Sequence, residues 1–263
     1  MIIIGEKLNS SIKSVRAAIE SRDADFIASL AQRQSKAGAA WLDINAATTA
    51  DEIDSLVWMG EICRSVCDTP LCVDSPDPAA VGAALERLGG RCMINSITLE
   101  EARYNAMLAL AKQYNAPLVA LCMDDSGMPE TVEDRVRIAT ALSERLIADG
   151  INADDIFIDP MLSPVGVVEG AGQAALEVIR QLSASLPTHL VCGLSNISYG
   201  LPARVNINRA FLIAAMTCGL DAAIADPLDT QLMRLAFAGE AMLGRDEYCE
   251  NYIDAFRDGF FND

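Results

Sequence analysis

Trp41-Leu42-Asp43-Ile44-Asn45, Leu71-Cys72-Val73-Asp74-Ser75 and Cys92-Met93-Ile94-Asn95-Ser96 follow one pattern: a short apolar run that ends on an acid or an amide. Runs of this length, bounded by polar, Gly or Pro residues, are how parallel strands read when both faces are covered. The pattern extends outward in both directions. Ile2-Ile3-Ile4-Gly5 precedes these runs, and 118–123, Ile156-Phe157-Ile158-Asp159-Pro160, 190–195 and Ala222-Ala223-Ile224-Ala225-Asp226 follow them. Between the runs lie Ala-rich stretches at 24–37, 51–67, 78–88, 100–114, 132–149, 171–186, 206–218 and 230–243, with apolar residues three and four apart. That spacing predicts amphipathic helices. Gly38, Gly89, Gly150 and Gly219 stand where C-terminal caps are expected.

Eight strands alternating with eight helices predict a single α/β domain, a (β/α)8 TIM barrel over residues 1–263. The alternative, an open doubly wound sheet, usually carries a glycine-rich first turn. Here that turn reads Gly5-Glu6-Lys7-Leu8-Asn9, with no G-x-G-x-x-G. A terminal amphipathic helix is expected over 247–260, packed on the barrel or on a second subunit.

Composition narrows the function. The net charge of −17, with sixteen Arg and four Lys, argues against nucleic acid as a partner, because a phosphate backbone is gripped by clustered basic residues. A phosphate-rich ligand needs a local basic pocket against that field. No run approaches the roughly 18 apolar residues of a membrane span, and the first residues read as neither signal nor transit peptide. The eight Cys include no C-x-x-C pair and sit mostly in apolar stretches, as small hydrophobes in a reducing cytoplasm do.

The carboxyl ends of barrel strands make the working site, and their residue types report the ligand. Asp43, Asn45, Asp74, Asn95, Asp159, Asn196 and Asp226 all fall there. Any one of them alone reads more readily as a helix cap or turn residue, and Asp77, before Pro78, is the better cap. Seven converging on one mouth point to a ligand. Carboxylates accept paired N–H groups and carboxamides both donate and accept, which matches the edge of a fused heteroaromatic such as a pterin. A divalent metal is the second reading, since these oxygens suit magnesium, although no paired acidic motif of metal spacing is present. A phosphosugar ranks third, because strand 8 ends in Asp226-Pro227 where barrels often hold phosphate.

Several blocks taken together resemble the methyltetrahydrofolate:corrinoid-protein methyltransferases and, more distantly, the folate domain of cobalamin-dependent methionine synthase. They are Ile2-Ile3-Ile4-Gly5-Glu6, Leu42-Asp43-Ile44-Asn45, Cys72-Val73-Asp74-Ser75, Met93-Ile94-Asn95-Ser96, Ile158-Asp159-Pro160, Gly193-Leu194-Ser195-Asn196, Asn208-Arg209 and the run from Cys218 to Asp226. The resemblance implies a pterin-binding barrel that moves a methyl group between N5 of tetrahydrofolate and the cobalt of a corrinoid. It implies that Asp74, Asn95 and Asp159 hydrogen-bond the pterin and that Asn196 reaches N5. Asp43, Asn45, Ser195 and Asp226 are supporting members, as are Arg204 and Arg209, which fall where the family keeps basic residues. Tyr199 stands where the family carries Gln, a departure that bears on the contacts near the methyl group.

The resemblance also implies a corrinoid (cobalamin) carried by a separate protein, and a homodimer. This chain has no D-x-H-x-x-G; its one histidine, His189, lies in Pro187-Thr188-His189-Leu190, at the strand end opposite the site. Without a histidine in the mouth, the N5 proton is expected from water, by way of Asp43 or Asp74. Zinc-bound thiolates at Cys72, Cys122 and Cys192 are disfavoured because these residues lie within strands, so no intrinsic metal is expected. Competing readings are a dihydropteroate synthase-like enzyme, a non-catalytic folate-binding barrel and a metal-dependent lyase. The first calls for a Lys after strand 7, yet the last Lys is Lys112.

Overall fold

The computed structural model describes residues 1–261. In β3 (Leu71–Asp74), Leu71, Cys72 and Val73 are all fully buried, so neither face of the strand meets water. β2 (Trp41–Asn45), β4 (Met93–Ile97), β5 (Leu118–Leu121), β6 (Ile156–Asp159) and β8 (Ala222–Ala225) are buried in the same way, flanked in space by β1 (Ile2–Asn9) and β7 (His189–Leu190). All pair in parallel, in the order β7-β6-β5-β4-β3-β2-β1-β8. A bridge between Gly193 and Ile224 joins the two edges, with Ile224 N–H donating to Cys192 O at 2.9 Å. The sheet therefore curls into an eight-stranded parallel barrel.

Alternate residues of each strand face different cores, as a pleat of period two requires. Ile4, Cys72, Met93, Val119, Phe157, Val191 and Ala222 form a cluster of their own, which fills the barrel interior. Their neighbours, among them Ile3, Val73, Ile94, Leu118 and Ile158, join the larger cluster beneath the helices. Two residues beyond the interior plug, the inward positions turn polar: Glu6 after Ile4, Asp74 after Cys72, Asn95 after Met93 and Asp159 after Phe157. The strand periodicity thus aims these side chains into the mouth.

The outer layer is α1 (Lys13–Glu20), α2 (Ala24–Lys36), α3 (Glu52–Val66), α4 (Pro78–Leu88), α5 (Glu101–Tyr114), α6 (Val132–Ala148), α7 (Ala171–Ser185), α8 (Arg204–Cys218), α9 (Thr230–Met242) and α10 (Glu250–Arg257). Asp23, Asp51, Asp77, Thr131 and Asp229 accept backbone N–H groups at the starts of α2, α3, α4, α6 and α9. Each such cap stabilises by about 1 kcal/mol. Gly219 ends α8 at φ 112, and a Cβ there would meet Ser183 at 2.3 Å, so the chain can turn there only with glycine.

The structure departs from the sequence expectations in four places. β1 continues past Gly5 to Asn9 through a register shift, and Gln34 Oε1 accepts the Lys7 N–H at 3.1 Å where the ladder is broken. A Cβ on Gly5 would meet that same oxygen at 2.6 Å, so the missing side chain makes the room. The eight-residue α1 was not anticipated; no side chain caps its start. β7 is only two residues long, and Leu194 and Ser195, expected to close it, belong to a 3₁₀ turn, Leu194–Ser198. The expected helix over 247–260 shrinks to α10, because positive φ at Tyr248 and Cys249 breaks the segment before it.

Candidate active site

A cavity of about 830 Å³ opens at the carboxyl ends of the strands. Asp74, Asn95, Asp159 and Asn196 all line it, as do Asp43, Ser195, Tyr199, Arg204 and Asp226. Asn45 and Arg209 do not. Asn45 donates Nδ2–H to Asp74 Oδ2 at 2.9 Å. Arg209 is spent on Asp229, which it grips through both Nε and Nη2, the shortest contact being 2.5 Å.

The mouth is a cluster of buried carboxyls with different partners. Asp43 accepts from Asn95 Nδ2 at 3.2 Å, and its burial beside Asp74 pushes its carboxyl well above the usual range. Burial raises Asp74 to about 6, with Asn45 and Arg103 pulling the other way. Burial also raises Asp159 to about 6, against backbone N–H bonds from Met161, at 2.7 Å, and from Gly193. Desolvation disfavours the charged form of each group, whereas donors favour it. Carboxyls held near 6 are carboxylates at neutral pH, ready to accept ring and amino N–H groups.

The far wall is the 3₁₀ turn Leu194–Ser198. Arg204 holds it, donating from Nη2 to Ser195 O at 2.5 Å and from Nε to Ser198 Oγ at 3.1 Å. The backbone at Gly193 brings Asn196 Nδ2 within 2.8 Å of where a Cβ would stand. The Asn196 side chain is exposed to the cavity and bonds to no other side chain among the described residues. Tyr199, 67% exposed, stands on the rim. Asp226 is bound to Lys7 Nζ at 2.9 Å and also accepts Leu228 N–H at 2.9 Å, so much of its capacity is used within the protein.

Several lining residues escaped sequence reasoning: Glu6, Lys7, Asn9, Thr98, Arg103, Asn208 and Asp229. Glu6 had a usable signal, since it stands two residues past the apolar Ile4, as Asp74 does past Cys72. It is half-buried and accepts from Ser195 Oγ at 2.7 Å. Cys72, Cys122 and Cys192 are fully buried core thiols. Among the described residues no group of three His, Cys, Asp or Glu is placed to hold a metal ion.

A parallel barrel whose mouth presents carboxylates and carboxamides, with few free cations, is built for a polar heterocycle edge. The chain belongs to the pterin binding enzyme family, which it matches over residues 5–226. It is similar to the methylcorrinoid:tetrahydrofolate methyltransferase of Eubacterium limosum, with 37% identity over 265 residues covering 98% of this chain and 97% of that protein. It is also 32% identical over 243 residues to methionine synthase of Mycobacterium tuberculosis, covering 85% of this chain and 20% of that larger protein. Two solved dihydropteroate synthases share the fold. The Yersinia pestis enzyme with a pterine-sulfa conjugate has a TM-score of 0.70 at 21% identity, over 92% of this chain and 94% of that one. The Xanthomonas albilineans enzyme with 7,8-dihydropteroate has 0.70 at 19%, over 91% and 94%.

Proposed function

We propose that the chain, acting as one domain, is a methyltransferase that moves a methyl group between N5 of tetrahydrofolate and the cobalt of a corrinoid on a separate protein. The observation that carries this reading is the pairing of a carboxylate wall, Asp74, Asn95 and Asp159, with an opposite turn presenting the amide of Asn196. The wall suits the pterin edge, with the carboxylates accepting its N–H groups and Asn95 donating or accepting. Asn196 suits N5: its carbonyl accepts from a protonated N5 and its NH₂ donates to a neutral one. The similarity to the Eubacterium limosum enzyme over nearly the whole of both chains supports the reaction class.

The corrinoid side of the mouth has its own support. Val165, Val167, Val168 and Tyr199 are exposed apolar residues on the loops after β6 and β7, Val205 is exposed at the start of α8, and Val165 N–H donates to Ile197 O at 3.0 Å, joining those loops beside the cavity. A patch of this kind suits a protein partner. The negative charge does not suit nucleic acid, and no helix among the described residues is long and apolar enough to cross a membrane. Eight free thiols fit a reducing cytoplasm. A homodimer is the assembly the family resemblance implies, and light scattering on the purified chain tests it.

The reading is tested by anaerobic incubation with tetrahydrofolate and methylcobalamin, following cob(I)alamin by absorbance. We expect Co(I) and 5-methyltetrahydrofolate in equal amounts. Condensation of p-aminobenzoate with a pterin pyrophosphate, without methyl transfer, would instead establish the dihydropteroate synthase reading. Pterin binding without either reaction would establish a non-catalytic barrel.

A further inference from the structure

Of the carboxyls that line the mouth, Asp43, Asp74 and Asp159 are committed on the pterin side. Asp43 is tied to Asn95, Asp74 to Asn45, and Asp159 to backbone N–H groups. Glu6 is different. Its Oε1 meets Ser195 Oγ at 2.7 Å, and Ser195 belongs to the same turn as Asn196. A hydroxyl can accept a proton on one lone pair while giving up its own, so it links a carboxyl to a third atom. Arg204 fixes the turn through Ser195 O, which keeps that link in register.

We propose that Glu6 is the proton store for folate N5, exchanging its proton with N5 through the hydroxyl of Ser195. This rests on the methyl-transfer reading above. When 5-methyltetrahydrofolate donates, the CH₃–N5 bond breaks, the methyl bonds to Co(I) through the cobalt electron pair, and N5 keeps the C–N pair. Protonated Glu6 gives its proton to Ser195, whose own proton passes to N5, leaving neutral tetrahydrofolate and a Glu6 carboxylate. In the opposite direction N5 attacks the methyl on cobalt and its proton returns to Glu6 by the same route. The charged groups facing Glu6 are Lys7 on its own strand, Asp43 on β2, Arg204 on α8 and Asp226 after β8. Burial and Asp226 favour the protonated form, while Ser195, Lys7 and Arg204 oppose it; burial wins, so the carboxyl is raised. A proton store works best when it titrates near the operating pH.

The test uses the full chain with cobalamin as the corrinoid, comparing wild type, Glu6→Gln, Glu6→Asp and Ser195→Ala. With 5-methyltetrahydrofolate and cob(I)alamin, wild-type kcat should fall as pH rises through the Glu6 titration. Glu6→Gln should lower kcat by about 10²-fold and abolish that limb, while the Kd for 5-methyltetrahydrofolate, read by fluorescence, moves by no more than about threefold. Glu6→Asp should restore the limb, and Ser195→Ala should slow transfer with Glu6 intact. With methylcobalamin and tetrahydrofolate the limb should reverse, the rate falling as pH drops. Retention of the wild-type limb in Glu6→Gln overturns the inference, as does a parallel loss of kcat and affinity. If Glu6→Gln does not fold, Ser195→Ala decides: transfer at the wild-type rate, or a parallel loss of kcat and affinity, overturns the inference. Absence of any transfer by the unaltered protein overturns the function itself, an outcome distinct from any result with the variants.

Discussion

Asn45 on β2 donates Nδ2–H at 2.9 Å to Asp74 Oδ2 on β3, and Asp74 lines the cavity. The bond opposes burial, holding Asp74 as an acceptor. A hydrogen bond to a charged group contributes about 2 kcal/mol. Asn45→Ala should therefore raise the titration of Asp74 further and weaken folate binding at neutral pH by at least about tenfold, although Asn45 is not among the residues that line the cavity. A fluorescence titration across pH checks this; unchanged affinity at every pH would show that Asp74 does not need its neighbour.

The raised carboxyls set opposite pH dependences for stability and binding. Asp74 and Asp159 titrate near 6 in the folded chain, against an ordinary value of 3.8 when unfolded. Their contribution to stability is complete below the unfolded value and is lost as pH rises through about 6. Each difference corresponds to something on the order of 3 kcal/mol. The free protein should thus gain in urea midpoint on going from pH 7 to pH 5, less so in Asp159→Asn, while folate affinity declines over the same interval. A midpoint that is flat between these values would show that Asp74 and Asp159 are not raised in the folded chain.

Gly193 lies at φ −67, an ordinary value for any residue, but a Cβ there would stand 2.8 Å from Asn196 Nδ2. In Gly193→Ala the amide must move while the backbone need not. Small displacements at a reacting centre cost up to about 10²-fold in rate. We expect kcat for methyl transfer to drop by at least about tenfold with little change in melting temperature. A rate equal to wild type would mean that the position of Asn196 is not critical.

His189 stands at the start of β7, away from the mouth, with Nδ1 2.7 Å from Asp221 Oδ2 and its ring stacked on Phe157. The Asp221 bond raises its pKa above 6.5 despite partial burial. That contribution is whole below the unfolded value and is lost as pH rises through the folded one. His189→Gln should destabilise the chain more at pH 6 than at pH 9, as paired melting curves would show, and leave methyl transfer at pH 7 unaltered.

Most of the barrel was legible because buried parallel strands are short, apolar and regularly spaced, and the polar residue closing each one announced the mouth. Asp74, Asn95 and Asp159 were found in this way. Glu6 was not, because Gly5 ends the apolar run and the strand continues across a bulge whose broken ladder is repaired by Gln34, distant in sequence. The seventh run reads as strand through Ser195, yet Leu194 and Ser195 belong to the 3₁₀ turn that Arg204 holds by its hydrogen bonds. Arg209 falls near the site, as the sequence suggests, but there it is paired with Asp229, a helix cap that lines the cavity. Which of two nearby groups a long side chain reaches depends on three-dimensional placement, and no periodicity encodes it.

Methyl transfer at this mouth is followed by NMR with a ¹³C-labelled methyl group on 5-methyltetrahydrofolate, under anaerobic reducing conditions, with wild type and Asn196→Ala. Wild type should move the label onto the corrinoid. Asn196→Ala should slow this by about 10²-fold or more while binding the folate nearly as well. A label that stays on folate at every enzyme concentration, with free cobalamin and with a corrinoid protein, would rule out methyl transfer by this chain.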